Sequence, residues 1–295
     1  MAGDVKHAVA VGIPLWDRAS GRQSRRLLAK DGQFCDSADH DLRGRHAVLT
    51  QQFSGTASEI LWREGVCMIE DAVDPALLAM CLSELHDHER HLFEAERTPE
   101  KLFVSGGRFY TAVEIARSFL RPEILLPRAV EQVLTEALGS DFVFDSWGVI
   151  NALPGAAEQH WHRDGGVLFP GHPLEAMLPA TAITLAIPLV EMNDETGTTG
   201  FALRSHRAHD HPDTPDYEPR VPVGAALLWD YRVFHKGMAN RSAIARPLIY
   251  ATLCRDWWSD TLNHGDQARL LVGPDAITQL DQALLKRLGR AQRTR

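Results

Sequence analysis

His162, Arg163 and Asp164 place an imidazole and a carboxylate two positions apart near the middle of the chain. On an extended backbone the side chains alternate, so His162 and Asp164 share a face and can converge on one metal ion. One more histidine would complete a set of two histidines and a carboxylate. That facial arrangement leaves coordination positions of a non-haem iron(II) open to substrates. By itself the triplet describes no more than a histidine beside an aspartate in a loop. His160 lies on the same strand face and is an alternative ligand; His162 is preferred because Asp164 stands at the right spacing from it. His211-Pro212-Asp213 resembles a second triplet, but its central proline breaks strand pairing and marks an exposed loop, as His172 and His209 also read. The run His86-Asp87-His88-Glu89-Arg90-His91 lacks H-E-x-x-H spacing and reads as a charged helix face.

The elements that must position these groups follow from the hydrophobic pattern. Ile60 and Leu61 suggest a short helix broken by Gly65, and Val66, Met68 and Ile69 a strand. Asp74-Pro75 opens a helix with apolar positions at Leu77, Leu78, Cys81, Leu82 and Leu85. Ala129 to Leu138 is a further amphipathic helix ended by Gly139. After Asp141 the texture changes to short apolar runs separated by turn residues, as in a sandwich or barrel. The predicted strands are 142–153, 158–164, 182–191, 221–234 and 246–257. Between the last two, residues 237–242 read as a turn. A hairpin centred between Asn240 and Arg241 would set His235 opposite Arg246 on neighbouring strands. An imidazole and a guanidinium would then face one cavity, and the guanidinium fork is suited to bidentate binding of a carboxylate.

Composition limits the remaining choices. The 295 residues, 44% hydrophobic and 24% charged, suit a soluble globular protein with a sizeable core. A formal net charge of −8 argues against nucleic-acid binding. No apolar run approaches the roughly 20 residues needed to span a membrane, and we expect no signal peptide. Cys35, Cys67, Cys81 and Cys254 show neither C-x-x-C spacing nor a disulfide pattern, so a cytoplasmic setting is expected. Residues 1–55, with Arg22, Arg25, Arg26, Arg43 and Arg45, read as an irregular extension; 56–260 as the functional domain; and 261–295 as a basic helical tail, solvated or at a dimer contact, in a monomer or homodimer.

The order His162-x-Asp164, then His235, then Arg246 after ten intervening residues, resembles the iron(II)/2-oxoglutarate dioxygenases, and among them the phytanoyl-CoA dioxygenase family. Supporting stretches are Glu195 to His206, Gly224 to His235 and Leu61 to Val73. The resemblance spans roughly 56–257 and implies a mainly β fold with flanking helices, a double-stranded β-helix or jelly roll of cupin type. It implies that His162, Asp164 and His235 hold Fe(II), that Arg246 pairs the far carboxylate of 2-oxoglutarate, and that O2 is the third reactant. Asn151 is a further expected cosubstrate contact, with a satisfied strand-end amide as the equal alternative. Trp161, Arg163 and Trp229 flank the ligands and are the expected substrate contacts, core packing taking up one of the tryptophans. The implied reaction hydroxylates an unactivated C–H bond of a small or mid-sized metabolite and releases succinate and CO2. An acyl-CoA substrate is the alternative, and a cupin-like metal isomerase or binding protein the rival of another class. The chain departs from the family pattern at Arg204, where Gly is usual, at Gly237, where Ser often holds the cosubstrate, and at Ile187, where some members carry Trp.

Overall fold

The computed structural model describes residues 15–16, 23–24, 53–208 and 210–293. Two compact units divide the chain, Met1–Arg45 and His46–Arg295. In the first, β1 (Leu15–Trp16) pairs antiparallel with β2 (Gln23–Ser24). The arginines at 22, 25, 26, 43 and 45, together with Cys35 and His209, lie outside the described residues.

The second unit begins with α1 (Ala57–Glu64), whose start carries a reciprocal cap: the Thr56 hydroxyl accepts from the Glu59 N–H, and the Glu59 carboxylate accepts from the Thr56 N–H. Gly65 ends it in the left-handed conformation, with Val233 and His206 packed where a Cβ would stand, and leads straight into β3 (Val66–Ile69). Asp74 and Pro75 start α2 (Pro75–His88) as the sequence suggests. There follow β4 (Leu102–Ser105), β5 (Arg108–Ala112), α3 (Pro122–Leu125), α4 (Arg128–Leu138), β6 (Val143–Ala152), β7 (Ala182–Pro188), β8 (Thr199–Phe201), β9 (Ala226–Asp230), β10 (His235–Gly237) and β11 (Arg246–Cys254). The chain closes with β12 (Leu271–Val272), α5 (Ala276–Gln279), α6 (Gln282–Arg287) and β13 (Gln292–Arg293).

The core is a double-stranded β-helix. Its larger sheet is antiparallel throughout, in the order β3-β9-β7-β11-β6-β5-β4. The smaller sheet is β8 with β10, widened by single bridges from Phe201 to Tyr217 and from His235 to His162. Alternation along β11 divides its residues between two environments. Ile249, Ala251 and Leu253 join Ile60 of α1, Leu78 of α2 and Leu134 of α4 in one buried apolar cluster, while Arg246, Leu248, Tyr250 and Thr252 line a cavity shared with the smaller sheet.

The structure departs from the sequence reading in the hairpin and in the C-terminal tail. His235 is not opposite Arg246: it pairs with Phe201 in the smaller sheet, whereas Arg246 pairs with Ala152 in the larger one. Residues 238–245 therefore cross between sheets instead of closing a hairpin, with Asn240 bonding the carbonyls of Ala152 and Ile244. Ile187, on the outward face of β7, belongs to the apolar cluster and not to the cavity. The basic end of the chain is anchored, not frayed: Arg287 reaches Glu131 and the Phe142 carbonyl, Arg290 reaches buried Asp145, and β13 pairs with β12. Arg204 takes φ +64°, the conformation the family's usual Gly adopts without strain, and is held by its N–H to the Glu64 carbonyl and an ion pair with Glu64.

Candidate active site

The two sheets bring His162, Asp164 and His235 to one end of a cavity of about 270 Å³. One donor atom from each lies within 4.8 Å of the others, and among the described residues no other such metal-binding group forms, the His86–His91 run included. His162 and His235 are fixed by the bridge between their strands, whose backbones exchange both hydrogen bonds. Each imidazole turns Nδ1 toward a carbonyl two residues earlier, His160 for His162 and Val233 for His235, at 3.0 Å in both cases. With the Nδ1 proton placed there, Nε2 of each ring carries the free lone pair, as a metal ligand requires. The His160 side chain is exposed and is not one of the grouped donors, and its carbonyl is what His162 Nδ1 meets.

Asp164 is held on all sides. Thr184 (2.6 Å) and Trp229 (2.8 Å) donate to Oδ2, Tyr250 donates to Oδ1 (2.9 Å), and Asn263 donates to its backbone carbonyl (2.6 Å). The donors come from neighbouring strands because Thr184 pairs across to both Trp229 and Thr252, one step from Tyr250. Burial alone would raise the Asp164 pKa, but His235 beside it and the hydrogen bonds it receives hold it well below the usual carboxylate range. Burial and the neighbouring His235 push His162 down to about 4, which keeps it neutral and ready to bind a cation. Burial works against the charged form of His235 too, yet the adjacent Asp164 carboxylate outweighs it and raises this pKa. A divalent ion placed among the three would take over the charge that His235 supplies to Asp164 without metal.

Outer partners of this kind orient the ligand they touch. Tyr250→Phe, which removes one donor to Asp164 and keeps the ring, is expected to weaken iron binding by about 10- to 100-fold. Metal titration with a competing chelator measures this; unchanged affinity would mean that Tyr250 serves the cavity wall alone.

Away from the triad, Arg108 and Arg246 pair with Ala152 from opposite sides, so both guanidiniums leave the sheet at one level and on one face. Each residue is 2% exposed, and neither has a carboxylate partner among the described residues. Arg108 bonds the Met238 carbonyl at 2.7 Å and, at longer range, the carbonyls of Ala157 (3.3 Å) and Gly237 (3.4 Å), with Nε unpaired; Arg246 makes one long contact, Nε to the Thr196 carbonyl at 3.4 Å. Burial drags the pKa of Arg108 down to about 10, and burial together with Arg108 drags that of Arg246 to about 9. Two desolvated cations side by side call for an anion between them. Gly237 belongs to this arrangement: a Cβ there would stand 2.5 Å from Gln159 Oε1 and 2.7 Å from Arg108 Nη1, so the side chain absent at 237 is the room that Arg108 occupies.

The other sequence-predicted residues separate. Trp229 lines the cavity and orients Asp164. Arg163 reaches the cavity wall, but its guanidinium is committed to the carbonyls of Ser205 and Ala208 and stacks on Phe234. Trp161 points elsewhere: it stacks on His211, lies under Lys236 and donates to the Asp213 carbonyl. Asn151 is buried on the face of β6 opposite Ile150 and donates to the Leu92 carbonyl, so it takes no part in the cavity. Arg108, Thr184, Tyr250 and the C-terminal pair Asn263 and His264 were not singled out from sequence. Only Arg108, a lone cation in an otherwise apolar strand, left any signal there.

The model of the phytanoyl-CoA dioxygenase family matches residues 61–248, more than half of the chain. The chain belongs to the phytanoyl-CoA dioxygenase family. It is thus an iron- and 2-oxoglutarate-dependent dioxygenase, and the three donors and paired guanidiniums suit a metal and a dicarboxylate. Among its relatives are the dioxygenase trt7 of Aspergillus terreus, 23% identical over 78% of this chain and 82% of that one, and the dioxygenase olcK of Penicillium canescens, 26% identical over 53% of each. The fold is shared with the 2-oxoglutarate-dependent epimerase SnoN from nogalamycin biosynthesis, at TM-score 0.53, 18% identity, and coverage of 68% of this chain and 79% of that one. It is shared also with HygX from Streptomyces hygroscopicus, solved with nickel and 2-oxoglutarate, at TM-score 0.52, 13% identity, and coverage of 72% and 89%.

Proposed function

We propose that this chain hydroxylates an unactivated C–H bond of a small or mid-sized metabolite, converting one 2-oxoglutarate to succinate and CO2 per turnover. One atom of O2 enters the product and the other enters succinate. The observation that carries this reading is a single cavity with three metal donors and, on its opposite sheet, two buried guanidiniums that have no carboxylate partner among the described residues. His162, Asp164 and His235 would hold iron(II), which when bound activates dioxygen at the expense of 2-oxoglutarate. Arg246 would receive the far carboxylate of the cosubstrate, with Arg108 adding positive potential beside it. Trp229, Thr184 and Tyr250 keep the Asp164 carboxylate in place while His162 and His235 present Nε2. The presence of Asp164 favours hydroxylation over halogenation, since a carboxylate fills the position a halide would need.

Catalysis is assigned to residues 56–260, and the following segment closes one side of the cavity through Asn263 and His264. The fully described thiols, Cys67, Cys81 and Cys254, are buried and unpaired, which supports a reducing, cytoplasmic setting for a monomer or homodimer. Among the described residues no helix is long and apolar enough to cross a membrane.

The test is succinate formation from 2-oxoglutarate by purified protein supplied with iron(II), O2 and a metabolite panel. Turnover should require iron(II), fail with zinc(II), and rise when a true substrate couples the two half-reactions. Conversion of a panel metabolite with zinc(II) alone, without succinate formation, would favour the metal-isomerase reading instead.

A further inference from the structure

One titratable side chain in the cavity has no part in the site described so far. His264 is 7% exposed and lines the cavity, yet among the described residues neither of its ring nitrogens has a hydrogen-bond partner. Nδ1 is sealed from solvent without a partner. A buried N–H left unpaired costs more than an under-used acceptor, so the proton belongs on Nε2. Burial also lowers the pKa of His264, which keeps the ring neutral. The imidazole is well fixed: its ring packs edge-on against Tyr110 at 5.4 Å, and the adjacent Asn263 is tied to Asp260 and to the Asp164 carbonyl.

From His264 a continuous row of rings runs toward the metal donors. Tyr110 and Tyr250 lie 6.1 Å apart, Tyr250 and Trp229 5.9 Å, Trp229 and His235 5.2 Å. A ring-bearing molecule laid along this wall keeps aromatic contact throughout its length. Of the cations lining the cavity, Arg163 is used by backbone carbonyls, and Arg108 and Arg246 face the cosubstrate end of the proposal above. None of these is left for an anionic substrate, and beside His264 the Arg269 guanidinium is matched by the carboxylates of Asp260 and Asp145 and is bound to Asp145.

We infer that His264 is a specificity-determining residue that donates an Nε2–H hydrogen bond to a carbonyl or hydroxyl oxygen of a neutral, ring-bearing substrate. The inference rests on the oxygenase reading and names the class of molecule that site takes. It also disfavours the acyl-CoA alternative, whose phosphates would find no unmatched cation along this wall.

The experiment uses the full chain loaded anaerobically with iron(II) and 2-oxoglutarate, with equilibrium dialysis against α-tetralone, tetralin and tetralin-1-carboxylate. The expected result is α-tetralone held about tenfold tighter than tetralin or the carboxylate, the worth of one well-placed hydrogen bond. His264→Phe should bring α-tetralone to the level of tetralin, and His264→Gln, which keeps an N–H donor, should restore part of the preference. The visible charge-transfer band of the iron–cosubstrate complex is recorded for every protein, so a variant that fails to fold is recognised and the other decides. An unchanged preference in the variants, tightest binding of the carboxylate, or no retention of any probe by the wild type overturns the inference while leaving the oxygenase reading intact. Absence of the band in the wild type removes that reading and the inference together.

Discussion

Arg246→Leu is expected to weaken cosubstrate binding severely and, at the same time, to make the ligand-free protein more stable. The guanidinium is buried beside a second buried cation and has no carboxylate partner among the described residues, so without ligand its charge is a standing cost. Replacing a desolvated charge with an apolar side chain of similar size relieves that cost, by about 1–4 kcal/mol where buried ion pairs have been so replaced. For a domain of this size each kcal/mol corresponds to about 2–4 °C in the melting midpoint. Affinity moves the other way: truncating one partner of a buried charge pair costs about 2–5 kcal/mol, so the 2-oxoglutarate Kd should rise at least about thirtyfold. Thermal melts without ligand, and 2-oxoglutarate titration of the anaerobic iron-loaded protein, measure the two effects. Adding 2-oxoglutarate at a hundred times the wild-type Kd should move the balance toward the wild type by about 2 kcal/mol, because it stabilises the wild type by about 2.7 kcal/mol and a variant that binds about thirtyfold more weakly by about 0.9 kcal/mol. Arg246→Lys is the informative control, keeping the charge and losing the fork. A destabilised Arg246→Leu protein that still binds 2-oxoglutarate would mean that the guanidinium is structural.

Why Arg246 and the triad could be picked out from sequence, while much of their setting could not, is a matter of range. His162 and Asp164 lie within one local period, and backbone alternation alone puts them on one face. The capped start of α2 at Asp74-Pro75 and the end of α1 at Gly65 are equally local signals. A hairpin would pair His235 with Arg246, but residues 238–245 pass from one sheet to the other. Both residues still reach the same cavity, since the strands on either side of that crossing face each other. Asn151 was misplaced by parity: on β6 the even positions Ile150 and Ala152 face inward, and one residue of register decides between cavity and core. Trp161 is likewise one position from His162 and points away for that reason. Arg108 meets Arg246 only through Ala152 of an intervening strand, and Tyr250, Thr184 and Trp229 meet at Asp164 from three strands. Such convergence exists only once the order of strands in the sheet is known.

Asp164→Ala is expected to remove iron-dependent succinate formation and to lower stability, and the contrast with His162→Ala shows that these are separate effects. Either change takes away one of three metal donors. The loss in metal affinity should exceed the roughly 10- to 100-fold cost of losing an outer partner, leaving turnover at the level of free iron. The consequences for the fold differ. Asp164 accepts from Thr184, Trp229 and Tyr250 inside the cavity, and its removal leaves three donors facing a small void. Each orphaned donor costs about 1–3 kcal/mol, less whatever entering water recovers. His162 is only partly buried and its side chain has a single hydrogen bond, from Nδ1 to the carbonyl of His160, so its loss orphans one acceptor already near solvent. His162→Ala should therefore melt within about 1 kcal/mol of the metal-free wild type, while Asp164→Ala falls clearly below it. Melting both variants with and without iron(II) makes the comparison. A shift on adding iron in either variant, comparable to that of the wild type, would place the metal somewhere other than among these three residues.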